Sequence, residues 1–397
     1  MKTKSHISPE RIRRDFQSRF NPISGLSPEG LALQLDEFRN GNLRRVAQTW
    51  DVIERRDDVL QGVASKRKKA IARHQWEVRT IDDSPEAAQH KQALDHFYNH
   101  ITFTNAIDEN QTGSMSLGIE QMADAIGKRY AVHEIVWNPN GQGGLTATLR
   151  FVPLWFFENR TGRLRYLDKP AAIDGIPMKP GQWLVTVGEG IMESCSVAYM
   201  YKHLPLRDWL IYCERNGMPG VRGVTDALPG SREWELAREA VEAFGAEFHA
   251  LMNRGTEIEA IDLSARGSLP YPALVDRMDR AMIALWRGAD LSTFSSAGGV
   301  GASVQKEETE LLEQHDARMI SETLNTQVDR HVIRHLFGTE TPRAYFTLKT
   351  STQQDLLQYL RIYRELWEMG VPIAISDLHE RFGVPMPTSK EPTLAKS

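Results

Sequence analysis

The chain has 397 residues, a length that suits two or three domain-sized units, and its 41% hydrophobic and 25% charged side chains are ordinary for a folded protein. Its 48 basic and 52 acidic side chains give a net charge of −4, which argues against the basic surface of a conventional nucleic-acid-binding protein. Two cysteines, Cys195 and Cys213, are too few for a disulfide framework or a four-thiolate zinc site, and no apolar run is long enough to cross a membrane.

The first 150 residues predict an arm followed by helices and strands. Residues 1–40 are polar and interrupted by prolines, and no apolar stretch follows their positive start. We therefore expect an N-terminal arm without a secretory signal, on an intracellular protein. Steps of three and four between apolar residues predict helices at 41–75, at 84–107 with Ser84 as N-cap, and from 116 onward. Strands are predicted within HQWEVRTID and on both sides of a hairpin turn at 138–141.

Residues 150–190 change character, because they are rich in aromatic residues, proline and glycine. Clusters of turn-forming residues divide this stretch into short pieces. The pattern predicts a small β-rich insert with strands near 152–157, 163–167 and 183–187.

The remainder predicts long helices separated by short strands, which makes the fold class α+β. Amphipathic helices are predicted at 204–216, 231–253 with Ser231 as N-cap, 272–288, 303–337, and in QQDLLQYLRIYRELWEMGV and AISDLHERFGVPMP. Strands are predicted in TEIEAIDL and RAYFTLK. The polar tail at 388–397 is expected to be disordered.

A glycine-rich stretch, LSTFSSAGGVGASVQKEETE at 291–310, lies between two of these helices. Backbone N–H groups of glycines before a helix can bind a phosphate. A dinucleotide-binding fingerprint, however, needs a preceding strand and a third glycine, and Val304 stands where that glycine would be. We therefore favour a mobile, uncharged loop between packed helices over a phosphate-binding loop.

The sequence offers no catalytic constellation. His96 and His100, like His331 and His335, lie one helical turn apart, but neither pair has the glutamate of the H-E-x-x-H motif. The carboxylates in DRMDR and KEETELLEQHD are more simply explained as partners in helical ion pairs, and KRKK as a solvated helix end. We expect no catalytic residues, no metal site and no cofactor, and therefore no enzyme.

Several short sequence motifs, in a characteristic order, resemble those of the phage portal protein family and its Mu-like group. After the β-rich insert, SVAYMYKHLPLRDWLIYCERNGMPGVRGV is similar to the portal pattern of a helix closing in Asn-Gly-x-Pro, here Asn216, Gly217 and Pro219. The C-terminal part of the chain is also similar to Mu-like portal proteins, at PRAYFTL, at Asp355, and at GVPI and FGVP. The likeness covers about residues 40–387. Because the chain ends soon after VPMP, a C-terminal crown is expected to be short or absent.

The resemblance implies a portal-type fold with wing, stem and β-rich clip, and with long helices around a central channel. The implied divisions are an N-terminal arm (1–40), the first part of the wing (41–149), the clip (150–190), the stem (191–224), the second part of the wing (225–290), the tunnel loop (291–304), a long helix with a C-terminal helical module (305–387), and the tail (388–397).

The resemblance also implies function and partners. Portals are rings, dodecameric in the particle, at one vertex of the virion head, through which double-stranded DNA is packaged and ejected. The implied partners are further copies of the chain, DNA in transit, the large terminase, the head–tail adaptor and the major capsid protein, with scaffold as a further candidate and no membrane. Assembly would take place in the host cytoplasm. Two alternatives remain: another phage head-assembly or connector component, and a nucleotide-binding enzyme that uses the glycine-rich stretch.

Two sets of site residues follow from the resemblance. The channel set would touch DNA without holding it, because each neutralised phosphate adds affinity and would hinder sliding. It comprises Ser292, Thr293, Ser295, Ser296, Gly298, Gly299, Gly301, Ser303 and Lys306. The clip set would bind terminase and adaptor, and its aromatic rings, too costly to expose in a single chain, would be buried between subunits. It comprises Trp155, Phe156, Phe157, Arg163, Tyr166 and Trp183.

Overall fold

The computed structural model describes residues 25–139, 144–169, 171–217, 221–243, 256–260, 270–288, 299–350, 353–384 and 386. Most of the predicted N-terminal arm and the predicted tail lie outside these ranges. So does Pro219 of the portal-like pattern, and so do five of the channel residues, Ser292, Thr293, Ser295, Ser296 and Gly298.

Helices supply most of the described chain. They are α1 (Pro28–Arg39), α2 (Arg44–Arg56), α3 (Asp58–Ala72), α4 (Pro85–His100), α5 (Met115–Met122), α6 (Asp124–Lys128), α7 (Met192–Gly217), α8 (Arg232–Ala243), α9 (Tyr271–Arg287), α10 (Gly299–Leu324), α11 (Arg330–Phe337), α12 (Gln353–Glu368) and α13 (Ile375–Phe382). A 3-10 turn lies at Leu154–Phe156, and a π-helical turn at Asn325–Asp329 joins α10 to α11.

The strands form small sheets. They are β1 (Trp76–Thr80), β2 (Thr102–Asn105), β3 (Thr112–Gly113), β4 (Tyr130–Pro139), β5 (Leu145–Val152), β6 (Phe157–Glu158), β7 (Arg165–Tyr166), β8 (Ile176–Pro177), β9 (Trp183–Val187), β10 (Val221–Thr225), β11 (Thr256–Ala260) and β12 (Ala344–Leu348). The largest sheet has the order β3-β2-β5-β4-β9, β6-β7-β8 form a second, and β1-β12 and β10-β11 are antiparallel pairs. The α+β class is confirmed.

Local chemistry accounts for several helix ends. Asp57 begins α3, because its side chain accepts a 2.8 Å hydrogen bond from the amide of Leu60. The predicted helix 41–75 is therefore two helices. Ser84 and Ser231 cap their helices as predicted, at 3.2 Å from the Ala87 amide and 3.1 Å from the Trp234 amide.

Several boundaries differ from the predictions. The helix expected over 84–107 ends at His100, because Thr102–Asn105 is drawn into the large sheet as a parallel partner of β5. Helix α7 begins at Met192 rather than at 204, and α10 begins at Gly299 rather than at 303. The end at His100 shows that pairing within a sheet can stop a helix that local pattern alone would continue.

The β-rich insert is confirmed in part. Short strands β6, β7 and β8 form its sheet, with Phe157 opposite Tyr166. The third predicted strand does not belong to this sheet, because Trp183–Val187 pairs with β4 at the edge of the large sheet. The insert is therefore tied directly to the large sheet.

Candidate functional site

The aromatic rings of the clip set are buried within the single chain. Phe157, Tyr166 and Trp183 pack with ring centroids 5.5 to 5.9 Å apart, and Trp155 and Phe156 belong to the same apolar cluster. The expectation that these five rings would be exposed until subunits meet is therefore wrong. The physical reason is that strand β9 brings Trp183 back over the insert, so the chain covers its own aromatic surface. Arg163 remains exposed.

The remaining channel residues occupy the beginning of α10. Gly299, Gly301, Ser303 and Lys306 have helical backbone, so part of the predicted loop is helix. The helix before the glycine-rich stretch, α9, ends at Gly288, whose φ of +74° is the left-handed conformation that glycine adopts readily. A helix rather than a strand therefore precedes the stretch, as the sequence predicted.

Arg67 joins the two helices that flank the glycine-rich stretch. From α3, its Nε and Nη2 donate to the two carboxylate oxygens of Asp316 in α10, at 2.8 and 3.0 Å. Its Nη1 donates to the backbone carbonyl of Trp286 in α9 at 3.1 Å. The guanidinium plane suits this arrangement, because it presents several N–H groups in a fixed fork.

This ion pair is almost completely withdrawn from water. The side chains of Arg67 and Asp316 are 5% and 2% exposed. Burial raises the pKa of Asp316, and the hydrogen bonds and charge of Arg67 oppose that change. Removing either partner would leave a buried charge without compensation, so the pair is a rigid structural joint. We call the set Arg67, Trp286 and Asp316 the helix joint.

A second contact holds α10 to α3 one turn away from Asp316. Glu313 Oε2 lies 3.3 Å from Nε2 of His74, just beyond the end of α3. This hydrogen bond lowers the pKa of Glu313, with a further contribution from Arg73. The two helices are therefore fixed relative to each other at two points.

Trp286 is itself fixed from several sides. Its ring is fully buried, and Lys68 Nζ lies 5.9 Å above the ring centre, a cation–π distance. A Cβ on Gly127 would lie 3.0 Å from the edge of the ring, so the glycine leaves room for the indole. The backbone carbonyl of Trp286, which accepts the hydrogen bond from Arg67, therefore has a well-defined position.

Next to the joint lies a cluster of five buried charges. Lys68 contacts Glu54 at 2.5 Å and Asp124 at 2.7 Å, and Lys128 contacts Asp51 at 2.6 Å and Asp124 at 3.0 Å. Burial acts to raise the pKa of Asp124, but the two lysines outweigh it and hold that pKa well below its usual range. The cluster lines an open cleft of about 540 Å³. The two lysine ammonium groups form ion pairs with the carboxylates of the cluster, so these carboxylates have a structural role.

Lys202 connects α7 to the same region. Its Nζ lies 2.8 Å from Asp57, 3.2 Å from Asp58 and 2.7 Å from Asp279. One buried ammonium therefore links α7, the start of α3 and the middle of α9. The sequence predicted an ion pair within the helix for Asp279. In the structure its carboxylate pairs with Lys202, 77 positions away along the chain.

The other candidates for chemistry have structural surroundings. His331 stacks on Trp137 at 4.4 Å, and the rings of His96 and His100 lie 4.2 Å apart on α4. Cys195 is buried, and burial raises the pKa of its thiol to about 12. Within the described ranges, no group of three His, Cys, Asp or Glu side chains is arranged to hold a metal ion. Nor does any described helix combine the length and apolar character needed to cross a membrane.

Solved structures share this fold. The neck of an empty gene transfer agent particle with C6 symmetry matches 89% of this chain and 94% of its own at 11% identity and a TM-score of 0.56. The neck of the native particle with C12 symmetry matches 89% and 94% at 12% identity and a TM-score of 0.54. The chain therefore shares its fold with a protein of the gene transfer agent neck.

The family is shown by sequence. Residues 47–384 match the family model described as the portal protein of Mu bacteriophage, and the chain belongs to that family. The Mu-like prophage FluMu protein gp29 of Haemophilus influenzae is 22% identical over 434 residues, which cover 99% of this chain and 79% of the relative. The portal protein of Escherichia phage Mu is 22% identical over 392 residues, with coverages of 94% and 73%.

Proposed function

We propose that this chain forms the portal ring at one vertex of a phage-type head, where double-stranded DNA enters during packaging and leaves during ejection. The observation that carries the proposal is the family match over residues 47–384, to which the shared fold adds support. A structural role in the virion follows, and the chain would act by position and shape without catalysis.

The ring would contain twelve copies. One related neck has C12 symmetry and another was described with C6 symmetry, and a dodecamer is compatible with both. A closed ring needs a head-to-tail interface between two different surfaces. Candidates are α7, on which Val197, Tyr201 and Ile211 are exposed, Tyr201 at 56%, and the α12–α13 module, where Trp367 is 73% exposed. Exposed aromatic and aliphatic groups of this size favour burial between subunits.

The channel would be lined by the stretch at 291–304 and the beginning of α10. The support is compositional: serine, threonine, alanine and glycine offer hydrogen-bond donors without charge, and Lys306 follows just beyond. Phosphates could slide past such a surface, because few counterions are displaced. The insert at 150–190 would meet the large terminase and then the head–tail adaptor. With its rings buried, exposed groups such as Arg163 would make those contacts.

Negative-stain micrographs of the purified chain test ring formation. We expect rings with a central hole, and a protein that stays monomeric at every concentration would contradict the proposal. Tyr201→Glu should reduce ring formation, because it places a charge on the proposed interface. Leu228→Glu is the matched control, since Leu228 is also exposed but belongs to neither α7 nor the α12–α13 module.

Deletion of residues 295–302 tests the channel role separately. Rings should still form, while packaging or retention of DNA should fall. Normal head filling by such a variant would show that the stretch does not line the channel. Nucleotide binding that is lost in a Gly299→Val variant would instead favour the nucleotide-binding enzyme. That alternative requires a strand before the glycine-rich stretch, and the structure has helix α9 there.

A further inference from the structure

The helix joint lies about two thirds of the way along α10. Asp316 is seventeen residues after Gly299, so about 25 Å of helix, at 1.5 Å per residue, extends beyond the point where Arg67 grips it. The end of α9 is held by the same guanidinium through the carbonyl of Trp286, two residues before Gly288. One side chain therefore contacts both the end of α9 and α10 at Asp316.

The direction of the N-terminal part of α10 depends on how the helix is held at the joint. A tilt of ten degrees at Asp316 would displace Gly299 by roughly 4 Å along a lever of about 25 Å. Burial means that water cannot replace a lost hydrogen bond at low cost, so the joint resists small tilts. The contact between Glu313 and His74 opposes the same motion but is weaker, because it is one 3.3 Å hydrogen bond, whereas Arg67 donates three.

We infer that Arg67 is a positioning residue for the DNA channel: through Asp316 and Trp286 it sets the direction in which the first half of α10 projects. This inference rests on the proposed function for the identity of what α10 faces. Arg67 itself touches no DNA. It acts by holding α9 and α10 at one fixed angle in every subunit, so that the ring presents identical projections to the channel.

Arg67→Lys tests the inference in the full-length chain. A lysine retains the positive charge beside Asp316, but its single ammonium cannot reproduce the planar fork that reaches three acceptors. The matched control is Arg45→Lys, since Arg45 makes a 2.9 Å ion pair with Glu37 at the exposed surface. Asp316→Asn is a second variant, which keeps the shape of the carboxylate and removes its charge.

Hydrogen exchange distinguishes local loosening of the helix joint from general destabilisation of the protein. In Arg67→Lys and Asp316→Asn, amides at 284–288 and 309–317 should exchange on the order of tenfold faster than in the wild type. Exchange in β4 and β5 should be unchanged, and Arg45→Lys should resemble the wild type at both places. Equal acceleration in the sheet, or no acceleration at the joint, would overturn the inference.

Function is measured on the same variants. Rings should form normally, while the amount of DNA retained per head should fall several-fold. Faster exchange at the joint together with normal DNA retention would contradict the positioning role. Failure of the wild-type chain to form rings would count against the proposed function alone, because the exchange measurement still decides whether Arg67 fixes the two helices.

Discussion

Tyr98 Oη donates a 2.5 Å hydrogen bond to Oδ1 of Asp329, deep inside the protein. The other carboxylate oxygen accepts from the amide of Phe346 in β12 at 2.9 Å. Asp329 is the last residue of the π-helical turn between α10 and α11, and it is fully buried. Burial outweighs both hydrogen bonds and raises the pKa of Asp329 to about 7.

This raised pKa predicts a pH dependence of stability. An unfolded aspartate titrates near 3.8, so between about pH 4 and pH 7 the folded chain binds more protons than the unfolded chain. The stability contributed by protonated Asp329 is therefore complete below pH 4 and is lost as the pH rises towards 7. From pH 5 to pH 8, the wild type should lose about 2 kcal/mol of unfolding free energy relative to Asp329→Asn, measured by urea denaturation.

Tyr98→Phe is the control for the same measurement. It removes a hydrogen bond that favours the carboxylate, so the pKa of Asp329 should rise further and the loss of stability should move to higher pH. Parallel pH profiles for the wild type and Asp329→Asn would show that Asp329 does not titrate in this range.

Gln327 protects the outer edge of the large sheet. Its side-chain amide donates to the carbonyl of Val185 and accepts from the amide of Val185, both at 2.8 Å. The carboxamide therefore takes the place of a neighbouring strand at the middle of β9. Gln327→Leu should lower the unfolding free energy by about 1–3 kcal/mol, because two backbone groups lose their partners. Gln61→Leu, at an exposed position on α3, should change it little, and equal effects at the two sites would argue against edge protection.

Gly118 allows α5 to approach the large sheet. A Cβ at this position would lie 2.3 Å from the ring of Phe103 in β2, which is fully buried. Gly118→Ala should therefore destabilise the protein by roughly 1–3 kcal/mol or more, since the ring or the helix must move. Gly62→Ala is the matched control: Gly62 is also helical, no atom lies within 4 Å of its Cβ position, and the change should stabilise by up to about 1 kcal/mol. Thermal denaturation of both variants decides whether close approach is the reason for the glycine.

Lys202 is expected to be costly to remove, because its ammonium is buried among carboxylates. Lys202→Met would leave the carboxylates of Asp57 and Asp279 near each other without the ammonium between them, at a cost of about 3–5 kcal/mol. Lys349→Met breaks a 2.8 Å pair with Glu77 on the surface and should cost less than about 1 kcal/mol. Chemical denaturation should separate the two variants clearly, and similar values would mean that the Lys202 network contributes little.

Local pattern predicted the elements whose causes are local. The caps at Ser84 and Ser231 and the end of the predicted helix at 337 depend on neighbouring residues, and the structure confirms them. The strand Thr102–Asn105 was missed because its partner, β5, lies more than forty residues later. The clip rings were misplaced for the same reason, since only the return of β9 shows that the chain buries them itself.

The sequence by itself determined the family, the α+β class and most of the long helices, because motifs in order, periodicity and capping chemistry can all be recognised along the chain. Only the tertiary structure decided that Arg67 forms an ion pair with Asp316, 249 positions later, and donates a hydrogen bond to the carbonyl of Trp286. A buried ion pair has no local signature, since either partner alone looks like a surface charge. Its place is fixed by how three helices pack, and packing joins residues without regard to their distance in sequence.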